Sequence, residues 1–202
     1  LLSINKPKLM QRLIYYVFIF LIPFSSYPQE KKVLTIKRTS VAPKVDGDLN
    51  DAAWQEAIET NEFTQFRPEI GALEKEHQKT YIKMTYNDEA IFISAYLHDN
   101  PEDIMKQFTS RDNFGQSDFF GVLINPNNDG QNDTEFFVFS SGTQADAVVS
   151  SGSREDFGCN AVLSSALKIV EDGWIVEMKI PYSALRFSNE PVQTWGINFH
   201  RH

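Results

Sequence analysis

Short strand-like segments, separated by turn-forming residues, recur along most of this 202-residue chain. In Thr80–Tyr86 (TYIKMTY) the alternation of side chains places Tyr81, Lys83 and Thr85 on one face of a strand. An Asn-Asp pair then marks a turn, and residues 90–97 (AIFISAYL) return as the hairpin partner. Because turn signals recur roughly every eight to twelve residues, the pattern predicts an antiparallel β-sandwich.

The same pattern predicts the remaining elements. Further strands are expected at 33–36, 118–124, 135–139, 162–170, 174–180 and 195–199, and short helices at 50–57 and 182–185. The expected fold class is therefore all-β, an antiparallel sandwich of jelly-roll or immunoglobulin-like type with one or two short helices. Sixteen phenylalanines predict a thick aromatic core, since each ring buries a large apolar area.

Residues 43–57 (PKVDGDLNDAAWQEA) combine a turn, a helix start and a tryptophan. The Asp-Gly pair favours a tight turn, because glycine tolerates the positive φ that such turns need. Asn50 or Asp51 is expected to cap the short helix. Trp54 would lie on the inner face of that helix, and we expect it to pack in the core rather than to serve as a sugar platform.

The chain ends and the composition indicate where the protein is located and which partners it can have. Residues 1–29 combine a basic start with an uncharged apolar run at 13–24, which predicts a signal peptide followed by one domain at 30–202. The expected location is the periplasm, the outer membrane or the cell surface. The chain lacks an initiating methionine and stops within a predicted strand, so we expect a longer protein.

The net charge of −8 argues against nucleic acid as a partner. Cys159 is the only cysteine and is expected to be a half-buried thiol.

The polar loop SRDNFGQSD contains the best candidates for sugar binding. Phe114 would stack on a sugar ring, while Arg111, Asp112 and Gln116 would hydrogen-bond its hydroxyl groups. In the alternative interpretation, Phe114 folds back over the edge of the sandwich.

A second loop has the composition of a calcium site. Asn125, Asn127 and Asp129 alternate before a glycine, and Asp133 follows nearby. The twelfth position is Phe136 instead of glutamate, which excludes an EF-hand. The alternative interpretation is an ordinary hairpin turn.

The sequence does not predict catalysis. It contains no nucleophile elbow, zinc-protease motif, phosphate-binding loop or dinucleotide fingerprint. A glycosidase needs two carboxylates at a fixed separation, and chance pairs are expected among 27 acidic residues. We therefore expect a binding module.

Four segments resemble one known family. They are VDGDLNDAAW at 45–54, IFISAYLHD at 91–99, DGWIVEMKIPYSALRF at 172–187 and WGINFHR at 195–201. They are similar to family 9 carbohydrate-binding modules, and most similar to those that begin large Gram-negative envelope proteins with a barrel-like C-terminal part. The resemblance implies a polysaccharide or oligosaccharide ligand, a role in polysaccharide breakdown beside attached glycoside hydrolases, and no catalysis by the module itself.

The resemblance also indicates where the family binds sugar. A first tryptophan is expected near Phe114 or Gly115, an acidic residue at Gly121, an arginine at Phe137, and a second tryptophan beyond His202. The first three positions depart from the family pattern.

Two other functions stay open. One is a structural sandwich that docks on its own C-terminal barrel and binds no sugar. The other is a haem-binding sandwich, which would have to use Met84, Met105, Met178 or His98.

Overall fold

Two β-sheets stack face to face and enclose the main core. The computed structural model describes residues 32–202, so the predicted signal peptide at 1–29 lies outside the described residues. In chain order the elements are β1 (Lys37–Arg38), α1 (Ala52–Glu56), β2 (Ile58–Thr60), a 3₁₀ helix (Glu76–Gln78), β3 (Thr80–Tyr86), β4 (Ala90–His98), β5 (Phe119–Asn125), β6 (Asn132–Phe139), β7 (Gln144–Ser150), β8 (Ser164–Val170), β9 (Gly173–Pro181), a second 3₁₀ helix (Tyr182–Ala184) and β10 (Gly196–Arg201). The predicted all-β sandwich with short helical segments is confirmed.

The larger sheet has six strands and the smaller sheet has four. The order of the larger sheet is β1-β3-β4-β9-β8, with β2 also paired to β3, and the order of the smaller sheet is β10-β5-β6-β7. All strand pairs are antiparallel except β1 with β3. The predicted hairpins β3–β4, β5–β6 and β8–β9 are therefore confirmed.

Three strands differ from the prediction. The first strand is β1 at Lys37–Arg38, not 33–36, and the pattern missed both β2 and β7. The sequence of β7 is QADAVVS, in which glutamine, alanine and aspartate favour strands weakly. This strand lies at a sheet edge, where one neighbour's backbone hydrogen bonds hold it in place despite its composition.

The main core lies between the two sheets. The buried residues of the larger sheet that face it include Ile82, Met84, Ile93, Trp174, Val176 and Met178, and those of the smaller sheet include Phe120, Val122, Ile124, Phe136 and Val138. Tyr81 and Lys83 lie half-buried on the opposite face of β3, as the alternation predicts. The predicted aromatic core needs correction, because many of the phenylalanines lie in two other clusters, outside the space between the sheets.

A lid made of residues 43–57 covers the outer face of the larger sheet. The backbone N–H groups of Asp46 and Gly47 donate to Glu177 Oε2 at 2.9 and 2.6 Å, and Trp54 Nε1 donates to Glu177 Oε1 at 2.7 Å. Glu177 is fully buried on β9, and Trp54 packs against Ala90 and Phe92 of β4. Trp54 is thus a core residue, as predicted, and the lid is anchored through one carboxylate.

The helix in the lid is shorter than predicted, and its cap differs. Asp51 occupies the N-cap position of α1, but its side chain makes no capping hydrogen bond. Asp51 Oδ2 instead accepts the backbone N–H of Lys44 at 2.7 Å, which closes the loop before the helix.

Two further features complete the fold. The longest helix among residues 32–202 has five residues, so none of the helices there has the length and apolar character to cross a membrane. Cys159 is exposed, not half-buried as expected, because it lies in the loop between β7 and β8.

Candidate functional site

Five phenylalanines form a patch on the outer face of the smaller sheet. Phe114 lies at the centre of this phenylalanine patch, with its ring 5.0 to 5.7 Å from those of Phe119, Phe137, Phe139 and Phe157. All four contacts have edge-to-face geometry, which is favourable for aromatic rings. Phe114 is half-buried, so it folds back onto the sheet and still presents part of its ring to solvent.

Arg111 and Asp112 hold the loop that carries Phe114. Arg111 Nη2 pairs with the buried carboxylate of Asp146, and Arg111 Nη1 donates to Gln144 Oε1 at 2.9 Å. Asp112 Oδ1 accepts the backbone N–H of Asp146 at 3.2 Å. These bonds fix the loop to β7, so both residues position Phe114.

Gln116 lies at the end of the same loop. Its side chain is exposed, and its backbone N–H donates to Gln107 Oε1 at 2.6 Å. The structure therefore places the four predicted residues in one loop, in which Gln116 and Arg111 are exposed.

Gly121 and Phe137 fit each other. A Cβ atom on Gly121 would lie 2.7 Å from the ring of Phe137, a distance that real Cβ contacts do not show. The absent side chain lets the Phe137 ring lie across β5. The two positions at which the resemblance implies an acidic residue and an arginine are thus occupied by a complementary apolar pair, which extends the phenylalanine patch.

Glu135 borders the patch and was not among the predicted sugar-binding residues. It lies two residues from Phe137 on the same face of β6, opposite Leu123, which in turn pairs with the exposed Asn198 of β10. Glu135 is only 7% exposed, and no donor among residues 32–202 hydrogen-bonds to its carboxylate, whose oxygens still touch solvent. Burial, with smaller contributions from Glu155 and Asp133, raises the pKa of Glu135 to about 7. This carboxylate is a ready acceptor for hydroxyl groups beside an aromatic surface.

Glu135 is expected to make the stability of the protein depend on pH. Because its folded-state pKa of about 7 lies above the unfolded value of 4.5, its contribution is fully present below pH 4.5 and is lost as the pH rises through 7. At pH 8, Glu135→Gln should therefore be more stable than the wild type, by on the order of 2 kcal/mol. At pH 4.5 the two proteins should unfold alike in urea.

A matched control is available in the lid. Glu56 is exposed, so Glu56→Gln should leave the pH dependence of urea unfolding unchanged. A Glu135→Gln protein with the wild-type pH profile would show that the carboxylate is not desolvated.

The loop between β5 and β6 holds the predicted calcium residues. Asn125 Nδ2 donates to Asp129 Oδ1 at 3.1 Å, and Asn125 Oδ1 accepts the backbone N–H of Asp129 at 3.2 Å. Backbone donation from Gln131, followed by the Asn125 amide, lowers the pKa of Asp129. Asn127 is exposed at the turn, and Asp133 lies on β6. Asn125 and Asp129 thus form an internally hydrogen-bonded turn, and calcium binding stays a prediction.

The candidate haem residues lie in different parts of the fold. Among residues 32–202, no three His, Cys, Asp or Glu side chains come together in a way that could hold a metal ion. Met84 and Met178 are buried in the main core, Met105 is exposed, and His98 lies on the outer face of the larger sheet.

Comparison with known proteins identifies the class to which this sandwich belongs. Residues 45–201 match the family described as carbohydrate family 9 binding domain-like, and the chain therefore belongs to that family. The match begins in the lid and ends with β10, so it includes the strands of both sheets except β1. A comparison with curated protein sequences found no significant match.

Solved structures show the same fold at low sequence identity. A family 9 carbohydrate-binding module from Caldicellulosiruptor kristjanssonii, solved with cellotriose, matches with a TM-score of 0.56 and 18% identity, over 82% of this chain and 75% of that one. The same module with glucose gives a TM-score of 0.56 at 18% identity, with 82% and 76% covered. A putative carbohydrate-binding protein from Bacteroides uniformis matches with a TM-score of 0.63 and 10% identity, over 82% of this chain and 81% of that one.

Proposed function

We propose that this protein is a non-catalytic carbohydrate-binding domain that holds an oligosaccharide on the outer face of the smaller sheet. The observation that carries the proposal is the carboxylate of Glu135 at the edge of the phenylalanine patch, within a family 9 sandwich: the residue is only 7% exposed, yet its carboxylate oxygens still reach solvent. Phe114 supplies an apolar surface for the C–H face of a pyranose, and Glu135 accepts hydroxyl hydrogens. Asn198 is an exposed polar group in register with Leu123, on the same face as Glu135, and Gln116 is exposed in the loop that carries Phe114.

The related structures suggest the first ligands to test. The module from Caldicellulosiruptor kristjanssonii was solved with cellotriose and with glucose, which are neutral sugars. We propose that the domain belongs to a secreted or outer-membrane protein of polysaccharide catabolism, in which attached or partner glycoside hydrolases perform the chemistry. A family 9 module at the start of a barrel-containing envelope protein fits this setting.

A docking domain without sugar binding is the second candidate. Three apolar side chains in the segment between β2 and β3 favour it, since Phe66, Ile70 and Leu73 are 75%, 82% and 71% exposed. Such a surface suits contact with another domain, including a C-terminal barrel.

Calorimetric titration with glucose and cellotriose, together with a glycan array, tests the proposal. We expect saturable binding, weakened at least about tenfold in Phe114→Ala and in Glu135→Gln, because each change removes about one good contact of roughly 1.4 kcal/mol. Each titration is repeated with calcium and with a chelator, which also tests the loop at Asn125 and Asp129.

The control is another phenylalanine that lies outside the patch. Phe108 is 82% exposed, so Phe108→Ala should bind like the wild type. Absence of binding to every glycan, with and without calcium, would contradict carbohydrate binding and leave the docking function.

A further inference from the structure

An open groove of about 390 Å³ lies on the outer face of the larger sheet. The side chains that line it come from β2, β3, β4 and the lid. They include Tyr81, Tyr96, His98, Lys83, Glu59 and Leu49. The phenylalanine patch is on the other sheet, and the main core lies between the two. The groove is therefore a separate surface, out of reach of a short ligand bound at the patch.

Three rings form a continuous aromatic surface in the groove. The His98 ring is 4.5 Å from that of Tyr96 and 5.6 Å from that of Tyr81. Asp172, in the turn before β9, fixes two of these rings, because it accepts the Tyr96 hydroxyl and lies 3.2 Å from His98 Nδ1. Desolvation, followed by the bond to Asp172, raises the pKa of Tyr96 to about 12, so this hydroxyl stays protonated. Two of the three rings are thus held in place before any ligand arrives, and Tyr81 packs edge-to-face against one of them, His98.

Ser94 adds an unpartnered polar group to the groove. It lines the groove, yet its side chain is only 1% exposed. Among residues 32–202 its hydroxyl makes no hydrogen bond. None of the buried polar side-chain atoms among residues 32–202 lacks a partner, so the Ser94 oxygen reaches the solvent in the groove, where a ligand hydroxyl can replace water as its partner.

Lys83 and Glu59 place a donor and an acceptor beside this surface. Lys83 Nζ lies 3.7 Å from Glu59 Oε2, and the two side chains are 25% and 45% exposed. At this distance the pair keeps part of its hydrogen-bonding capacity for a ligand. The groove therefore combines aromatic faces with a hydroxyl, an ammonium and a carboxylate.

The charges indicate the class of ligand. Lys83 is paired with Glu59, and His98 contacts Asp172, so the groove offers no unpaired cation to an anionic ligand. The two carboxylates would repel a phosphate or a uronic acid. A neutral saccharide fits both features, because its C–H face stacks on the rings and its hydroxyls donate and accept.

We propose that this groove is a second saccharide-binding site, with Tyr81 as the stacking platform and Ser94 and Lys83 as partners for hydroxyl groups. The proposal rests on the proposed carbohydrate-binding function for the class of ligand, but it assigns a different surface. Two independent sites on opposite faces would let one domain contact two sugar chains or two segments of one chain.

Chemical-shift mapping of the ¹⁵N-labelled protein tests this assignment, with cellotriose, xylotriose and maltotriose as probes. We expect one of them to shift the amides of Tyr81, Ser94 and Tyr96 in a saturable way. Tyr81→Ala should weaken this response at least tenfold. Ser94→Ala removes only a hydroxyl and cannot disturb folding greatly, and it should weaken the response several-fold.

Two variants separate the groove from other surfaces. Lys179 lies on the same face of the larger sheet, 3.5 Å from Glu89, so Lys179→Met removes a matched ion pair outside the groove and should leave the response intact. Phe114→Ala should also leave it intact. Shifts that are confined to the patch, and lost in Phe114→Ala alone, would overturn the second site while carbohydrate binding stands. No shift with any probe, together with a blank glycan array, would overturn both.

Discussion

Replacing Glu177 with alanine is expected to lower the free energy of unfolding by about 3–5 kcal/mol. The change leaves the Trp54 indole N–H and the backbone N–H groups of Asp46 and Gly47 without their acceptor beneath the lid. Burial raises the pKa of Glu177 and these three donors oppose that rise, so the carboxylate and the lid stabilise each other. We expect faster hydrogen exchange at Asp46 and Gly47 in urea-free buffer.

Two variants show whether the carboxylate itself is responsible. Glu177→Gln keeps one acceptor oxygen but turns an amide N–H toward a donor, so it should recover only part of the stability. Glu89 lies in the turn before β4 with its side chain 74% exposed, and Glu89→Ala should cost less than about 0.5 kcal/mol. A loss below about 1 kcal/mol in Glu177→Ala would contradict the anchoring of the lid by this residue.

The sequence predicts the hairpins well because their signals are local. The Asn-Asp pair before β4 and the Glu-Asp-Gly turn before β9 are contiguous in the chain, and each joins two strands that pair directly. The carboxylate of Glu177 could not be predicted as the anchor of the lid, since its partners lie 123 to 131 residues away. The family signature at 45–54 is therefore held to the DGWIVEMKIP segment by hydrogen bonds to the side chain of Glu177.

The candidate sugar site is less accessible to sequence analysis. Phe114 was predicted from its polar neighbours, but Arg111 and Asp112 direct their groups toward β7 instead of toward a ligand. Glu135 stands out only through its burial, which depends on neighbours in space that no local sequence pattern reveals. The fit of Phe137 over Gly121 likewise joins two strands, and no spacing in the sequence reveals it.

The groove illustrates the same limit. Alternation in β3 correctly places Tyr81 and Lys83 on one face. The neighbouring strand, AIFISAYLH, is buried along most of its length, so periodicity alone does not show which of its residues accompany them. Only the register of Tyr81 with Tyr96 and of Lys83 with Ser94 brings the aromatic and polar groups together.

Arg201 joins the two sheets through long-range contacts that no local sequence signal predicts. It belongs to β10 of the smaller sheet, but its guanidinium donates to the carbonyl oxygens of Gln78 and His98 at 2.5 Å and pairs with Asp99 at 2.7 Å. These acceptors flank β3 and β4 of the larger sheet. The side chains of Arg201 and Asp99 are only 11% and 16% exposed, so the pair is largely shielded from water.

Arg201→Met is therefore expected to destabilise the protein by about 3–5 kcal/mol in urea unfolding, because it leaves the shielded Asp99 carboxylate without its cation and two carbonyl groups without the guanidinium donors. Arg201→Lys should recover little, since one ammonium cannot reproduce the planar fork that reaches Gln78, His98 and Asp99 together. Arg154 is exposed, and Arg154→Met should unfold like the wild type. If Arg201→Met stayed within about 1 kcal/mol of the wild type, apolar contacts between the sheets, rather than this ion pair, would hold β10 against the larger sheet.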